Sequence, residues 1–422
     1  MHAHLRRVLR LTATVLLSAG AVLGSVHTAH ADAADFYLPP NTLPGTVNGE
    51  LLRSEPFSAA EFTRLALLMP VGSATRVMYR SSDARGAAVA VTGTVLTPSA
   101  AWNGPGPRPL ITYAIGTHGS GDACAPSKLL ADTIELDATG MPMLEYDLVD
   151  LWLLLNRGFS VAVTDYQGLG TPGGHPYMQP LPAAHNVLDA ARAAIRLGVA
   201  EAAAPIGIWG YSQGGGAAAA AAEQAPEYAP ELDLRGVVAG AATADPAETL
   251  RYNDSNLMTI LNGFFVAGLV ETDPELAPRV EALLSPAGLR MVQRVSQQCV
   301  PGGTLTAAYH STTEYTATGQ TLMDALSSDP EIRCALDGFV LGTRAPAVPA
   351  LVTVNVNDDT VPVSVVYALR DRWRAHGADV SELSVDTPAL PALLSSLGTG
   401  HITASVLSGS PAVSWLADRL AR

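Results

Sequence analysis

Over most of the chain the apolar positions fall in short unbroken runs separated by glycine-marked turns. The runs RPLITYAIG (108–116) and GFSVAVTDYQG (158–168) have the continuous character of strands buried on both faces. TRVMYRSSDARGAAVAVTGTVLTP (75–98) instead alternates β-formers around a turn and reads as a hairpin. Between the two buried runs, MLEYDLVDLWLLLNRG (143–158) carries helical spacing and stops at Gly158. A helix PAAHNVLDAARAAIRLG (182–198), a strand over 206–209, an alanine-rich helix after Ser212 and a strand LRGVVAGAA (234–242) follow. Strands alternating with helices predict an α/β fold with a mostly parallel sheet flanked by helices on both faces.

The alternation lapses from Pro246 to Thr343. Helix-like segments such as PELAPRVEALLSPAGLRMVQRV replace it, with the apolar LMTILNGFFVAGLV (257–270) as either a buried helix or a surface that meets lipid. Strand and helix patterning resumes with VPALVTVNVND (348–358), VSVVYALRDRWRAHG (363–377), ADVSELSVD (378–386) and a terminal helix near 411–421. One α/β core formed by 32–245 and 344–422, with 246–343 as an inserted helical cap or lid, accounts for this order.

The first residues follow another pattern. Arg6, Arg7 and Arg10 precede an apolar run to Val26, and Ala29-His30-Ala31 supplies a small-x-small cleavage site, which predicts an export signal over 1–31 and a secreted chain beginning at Asp32. Thr, Ser and Gly interrupt the run, which is short for a membrane span, so no stable membrane anchor is expected. Arg6-Arg7 also resembles a twin-arginine signal. The net charge of −14 becomes −17 once the three signal arginines leave, a poor match for nucleic acid or an anionic membrane. Cys124, Cys299 and Cys334 lack the paired spacing of a zinc site; one disulfide with one thiol left over accounts for them, and the residues alone do not choose the pair.

Candidate chemistry centres on PIGIWGYSQGGG (205–216). Gly210-Tyr211-Ser212-Gln213-Gly214 fits a nucleophile elbow, in which a serine sits in a strained strand-to-helix turn. Those glycines would serve a tight turn equally well, so partners are needed. LVTVNVNDDTVP ends a strand with Asp358 and Asp359, and either one could orient a base. Of the six histidines beyond the signal, His376 and His401 follow the acid. His376 ends a helix before Gly377, where a cation suits the dipole, whereas His401 lies in a loop opened by Gly398 and Gly400 and is the better base. Donors for an oxyanion would come from the Gln213 amide and from the glycine-rich YAIGTHGSGDACAPS (113–127), with Gly119 or Ser120 as the second donor and His118 bracing the loop. DYQGLGTPGGHPY (165–177) has no dinucleotide or phosphate-loop spacing and reads as a shaped loop near the pocket, with Asp165 structural. Tyr211 either lines the entrance or fills space behind the elbow.

The segments YAIGTHGSGDACAPS, VTDYQGLGTPGGHPY, GYSQGG and DDTVP, in that order and followed by Gly400-His401, resemble the secretory lipase family, the fungal and actinobacterial lipase A type of the α/β-hydrolase superfamily. The resemblance implies hydrolysis of acylglycerols and simpler carboxylic esters, and a helical cap inserted before the acid-bearing strand. Carried over by position, it implies Ser212 as nucleophile, His401 as base and Asp358 as acid, since Asp358 stands four before Pro362 in an Asp-x-x-Val-Pro pattern. It further implies a Cys124–Cys299 bridge to the cap. The expected reaction is acyl transfer through Ser212 to water, needing no metal or cofactor, on a lipid or small ester that can lie at a lipid–water interface. A peptidase or acyltransferase with the same triad, and a catalytically dead hydrolase used for binding, are the rival readings.

Overall fold

The computed structural model describes residues 36–388 and 398–421, so the export signal expected over 1–31 lies outside the described residues. The chain divides into a segment ending at Leu38 and a body, Pro39–Arg422, which carries the sheet and its helices.

Three strands come first, β1 (Leu51–Pro56), β2 (Val71–Ser82) and β3 (Ala88–Pro98), with α1 (Ala59–Leu68) after β1. The hairpin read from 75–98 is β2–β3 with longer arms; β1 carries no buried residue and gives little periodicity to read. Then follow β4 (Leu110–Ala114), α2 (Pro126–Asp132), the small pair β5 (Ile134–Leu136) and β6 (Pro142–Leu144), α3 (Leu148–Asn156), β7 (Ser160–Thr164), α4 (Pro180–Arg196), β8 (Ile206–Tyr211), α5 (Gln213–Tyr228) and β9 (Leu234–Gly240). Seven helices come next: α6 (Pro246–Tyr252), α7 (Ile260–Thr272), α8 (Ala277–Leu283), α9 (Pro286–Val295), α10 (Val300–Ala307), α11 (Leu322–Ser328) and α12 (Pro330–Gly338). The chain closes with β10 (Ala350–Val354), α13 (Val363–Ala375), β11 (Val380–Ser384) and α14 (Thr399–Leu420).

Nine strands form one sheet in the order β1-β2-β3-β7-β4-β8-β9-β10-β11. Pairing is antiparallel from β1 to β7 and parallel from β7 to β11. Every residue of β4, β7 and β10 is buried, which is why these strands read as unbroken apolar runs. The helix expected over 143–158 begins later, at Leu148: Pro142–Leu144 pairs with β5 instead.

The alanine row has a packing function. Residues 213–223 of α5 are all buried, and their small side chains let the helix axis approach the sheet. At Gly214 the approach excludes even a methyl group, since a Cβ there would lie 2.1 Å from the Ala114 carbonyl oxygen. The stretch between β9 and β10 builds a second apolar cluster around Phe264 and Phe265. Every residue from 260 to 269 is buried, so α7 is apolar all round because it is enclosed, not because it faces lipid. Among the described residues no helix is long and apolar enough to cross a membrane.

Replacing Gly214 by Ala is expected to lower stability by about 1–3 kcal/mol, because backbone on both sides must shift. Thermal unfolding of G214A measures this; an unchanged midpoint would show that the α5–β4 contact is looser than described.

Candidate active site

Parallel strands end at the same edge of a sheet, and three of them deliver the candidate residues there. β8 ends at Tyr211 immediately before Ser212, β10 ends four residues before Asp358, and β4 ends just before the loop 115–121. Ser212 has φ +62° and ψ −123°, a conformation that non-glycine residues seldom adopt, and its amide is tied to the Gly240 carbonyl at 2.9 Å. Gly210 is required beside it, since a Cβ there would come within 2.0 Å of the Gly214 carbonyl oxygen. Ser212 therefore stands on a sharp strand-to-helix turn with Gln213 as the first residue of α5.

Asp358 and His401 are joined directly. The Nδ1 of His401 lies 2.8 Å from Oδ2 and 3.0 Å from Oδ1 of Asp358. A carboxylate at this position accepts a hydrogen bond from Nδ1–H, which keeps the proton on Nδ1 and leaves the Nε2 lone pair free. Asp358 also accepts the amides of Thr360 (2.9 Å) and Val361 (2.8 Å), so its carboxylate is fixed from two sides. Asp359 has a separate role: its Oδ1 accepts the backbone N–H of His401 at 3.0 Å and so caps the helix that carries the ring. His401 is not in a loop. It is the third residue of α14, whose first turn begins at Thr399, well before the terminal helix expected near 411; Gly398 supplies the left-handed residue before it, at φ +71°.

Tyr211 packs beside the elbow, where a Cβ on Gly240 would lie 2.5 Å from its ring. Its ring lies 4.9 Å from the His401 ring and its hydroxyl donates to the His401 carbonyl at 2.8 Å, linking the elbow to His401. Ser212 itself makes no hydrogen bond to His401 among the described residues; such bonds commonly close only when substrate is bound.

In the loop after β4, the Ser120 amide is consumed by the Gln298 carbonyl at 3.0 Å, which removes Ser120 as an oxyanion donor. Gly119 bridges Cys299 in an antiparallel pairing whose bonds run from Val300 to His118 and from Ser120 to Gln298. That register turns the Gly119 amide away from Cys299. The amides of Thr117, His118 and Gly119 carry no hydrogen bond among the described residues, and Gly119 could not be replaced, since a Cβ would lie 2.5 Å from the Cys299 Cα. His118 does not face Ser212's partners: it is buried, with Nδ1 3.0 Å from the Gly116 carbonyl and Nε2 3.2 Å from Glu145. Burial alone would lower its pKa, but the charge and hydrogen bond of Glu145, aided by Asp147, hold it up at about 9.

The loop 165–179 connects these parts. Asp165 is structural, accepting from Ser127 and Thr92. The Tyr166 hydroxyl donates to the Ile115 carbonyl at 2.9 Å, and Tyr177 meets the Thr117 hydroxyl at 2.9 Å. The His175 ring accepts from the Gln213 side chain at 2.8 Å while its other nitrogen donates to the Gln167 carbonyl. That arrangement needs a neutral ring, and burial pushes its pKa down to about 4. Cys124 and Cys299 form a disulfide that closes 175 residues of sequence, which ties the turn before α2 to the start of α10; Cys334 is free and exposed. In the chain-entropy picture such a closure contributes roughly 5 kcal/mol.

Sequence reasoning did not single out Glu145, Tyr146 and Asp147, which meet the 116–118 loop. The signal was there: three polar side chains open a segment that is otherwise apolar up to Asn156 apart from Asp150.

The sequence description of the secretory lipase family matches residues 135–422. A probable inactive lipase of Mycobacterium tuberculosis is 30% identical over 390 residues, covering 92% of this chain and 81% of that one. Lipase A of Arthroderma benhamiae is 26% identical over 399 residues, 91% of this chain and 78% of its own. Among solved structures, Candida antarctica lipase A in its closed state superimposes with a TM-score of 0.73 at 19% identity, covering 91% of this chain and 88% of that one. The shared architecture is the α/β-hydrolase fold.

Two buried groups make stability fall on the alkaline side. Burial, with the charge of Asp147, raises Asp150 to about 8, so between about 4 and 8 the folded chain keeps a proton that the unfolded chain releases. His118 contributes stability that is full below its unfolded value and lost as pH rises through about 9. The unfolding midpoint is expected to drop between pH 6 and 9, and Asp150→Asn to flatten that drop. A flat profile in the parent chain would contradict the burial of both groups.

Proposed function

The chain belongs to the secretory lipase family of lipase and esterase hydrolases, and from that premise we propose that it is an exported serine hydrolase that cleaves carboxylic esters of lipids through Ser212. The observation that carries the reading is the Asp358–His401 hydrogen bond, which leaves a basic Nε2 on the same sheet edge as a serine held in a strained elbow. In this mechanism Nε2 of His401 takes the Ser212 proton as Oγ attacks the ester carbonyl. The amides of Gln213 and Gly119 hold the oxyanion. The protonated His401 then gives its proton to the departing alcohol. Water, deprotonated by the same nitrogen, splits the acyl-enzyme to release the acid and restore Ser212.

The name of the Mycobacterium relative does not carry over, because Ser212, Asp358 and His401 are all present here with acid and base already bonded. An apolar substrate is favoured by the lipase relatives, and three exposed apolar side chains stand next to the acid and base in sequence or by hydrogen bond. Val356 and Ile402, adjoining Asp358 and His401, are 58% and 63% exposed, and Tyr252, which donates to the Asp358 carbonyl, is 46% exposed. We assign the helical stretch 246–343 as a cap over this edge, tied by the Cys124–Cys299 bridge, and residues 1–31 as the export signal.

Ser212→Ala is expected to lower kcat/KM on a nitrophenyl ester by about 10⁴-fold or more, and Asp358→Asn by about 10⁴-fold. Undiminished turnover in S212A would refute the assignment. An ester series from acetate to oleate, measured below and above substrate solubility, tests the lipid reading. A rate jump at the emulsion point supports a lipase; a smooth optimum at short chains would contradict it and leave an ordinary esterase. Faster turnover of peptide anilides than of esters would instead indicate a peptidase.

A further inference from the structure

A second group of ionisable side chains lies beside the reaction edge without belonging to the triad. The segment Glu145-Tyr146-Asp147, just before α3, meets the loop after β4 at successive backbone positions. Oδ2 of Asp147 accepts the Gly116 amide at 2.9 Å, and the Tyr146 hydroxyl donates to the Thr117 carbonyl. Oε1 of Glu145 accepts from His118 at 3.2 Å and also from the Asp147 amide at 2.9 Å. The His118 ring stacks on Tyr146 with centroids 4.5 Å apart. Both ring nitrogens of His118 face acceptors, a carbonyl and a carboxylate, so the ring must donate twice and carry charge. The side chains of this pair are 0% and 2% exposed.

We propose that Glu145 and His118 are positioning residues for catalysis: their buried ion pair, flanked by Tyr146 and Asp147, fixes the peptide units of 116–119 so that the free amides face the oxyanion formed at Ser212. The inference rests on the reading of Ser212 as nucleophile. A buried ion pair is a poor device for stability alone, since a neutral pair of similar shape usually serves as well. Here the contacts converge on the backbone of a loop whose next three amides carry no hydrogen bond among the described residues. Orienting those amides before reaction is where such a pair gains its effect.

Other titratable groups face the pair. Asp147 is raised to about 6 by burial and by Glu145; Tyr113 of β4, Tyr146, and Tyr166 and Tyr177 of the 165–179 loop are all raised by burial; Asp150 of α3 is raised to about 8. Asp150→Asn therefore serves as the control for any change near pH 8.

The test uses the full chain and a soluble nitrophenyl ester, with kcat and KM followed from pH 5 to 10 and unfolding midpoints recorded alongside. Glu145→Gln is expected to lower kcat roughly ten- to hundredfold with KM within about twofold. Its alkaline limb should move down from near 9, because burial with the Glu145 charge removed favours the neutral His118 ring. The double variant His118→Gln/Glu145→Gln, which buries no charge, is expected to regain the unfolding midpoint without regaining kcat. Asp150→Asn should leave the limb in place. Parent-like kcat and alkaline limb in the folded double variant, or a loss in E145Q that matches its unfolded fraction, would overturn the proposal. If S212A abolishes turnover while E145Q stays parent-like, the positioning role alone fails; if S212A still turns over ester, the reading beneath it fails.

Discussion

The bond between Asp358 and the Nδ1 of His401 joins two parts of the chain that are 43 positions apart: the turn after β10 and the first turn of α14. Most contacts nearby serve to keep it. Thr360 and Val361 aim the carboxylate, Asp359 holds the helix start, and Asn355 donates to the Gly400 carbonyl at 3.1 Å. Tyr252 and Asn253 reach across from α6 to the carbonyls of Asp358 and Thr360. Tyr211 then connects His401 to the elbow, so the position of His401 is determined from Asp358, from α14 and from β8 together.

The remainder of the site is set by close packing. Gly210 and Gly214 allow strand, elbow and helix to approach to distances that any side chain would forbid, and the alanine row extends that approach along α5. The same economy of volume appears at Gly119, where the loop after β4 lies against Cys299. Loops 113–127 and 165–179 and helix α7 thus form one packed unit around the sheet edge. A Cβ on Gly268 would come within 2.7 Å of the His175 carbonyl oxygen, which shows how closely α7 lies on the second loop.

The centre of the parallel sheet, β4, β7, β8 and β10, was legible because these strands are buried on both faces and read as plain apolar runs. The elbow was legible because its glycines are demanded by sterics. β1 was not, since an exposed edge strand has no pattern to display. His401 looked like a loop residue because Gly398 and Gly400 break the pattern; in fact Gly398 is the turn before the helix, and Gly400 is needed inside it because a Cβ would lie 2.3 Å from the Asn357 carbonyl oxygen. The division of labour between Asp358 and Asp359 was also hidden, because one carboxylate bonds a side chain and the other a main chain. Glu145 and His118 are 27 positions apart, and no spacing rule joins them.

The most direct measurement is to treat the full chain with a fluorophosphonate, digest it and locate the adduct by mass spectrometry. The account predicts one adduct, on the peptide bearing Ser212, formed slowly or not at all in Asp358→Asn. An adduct on another residue, or none with the protein folded, would contradict it.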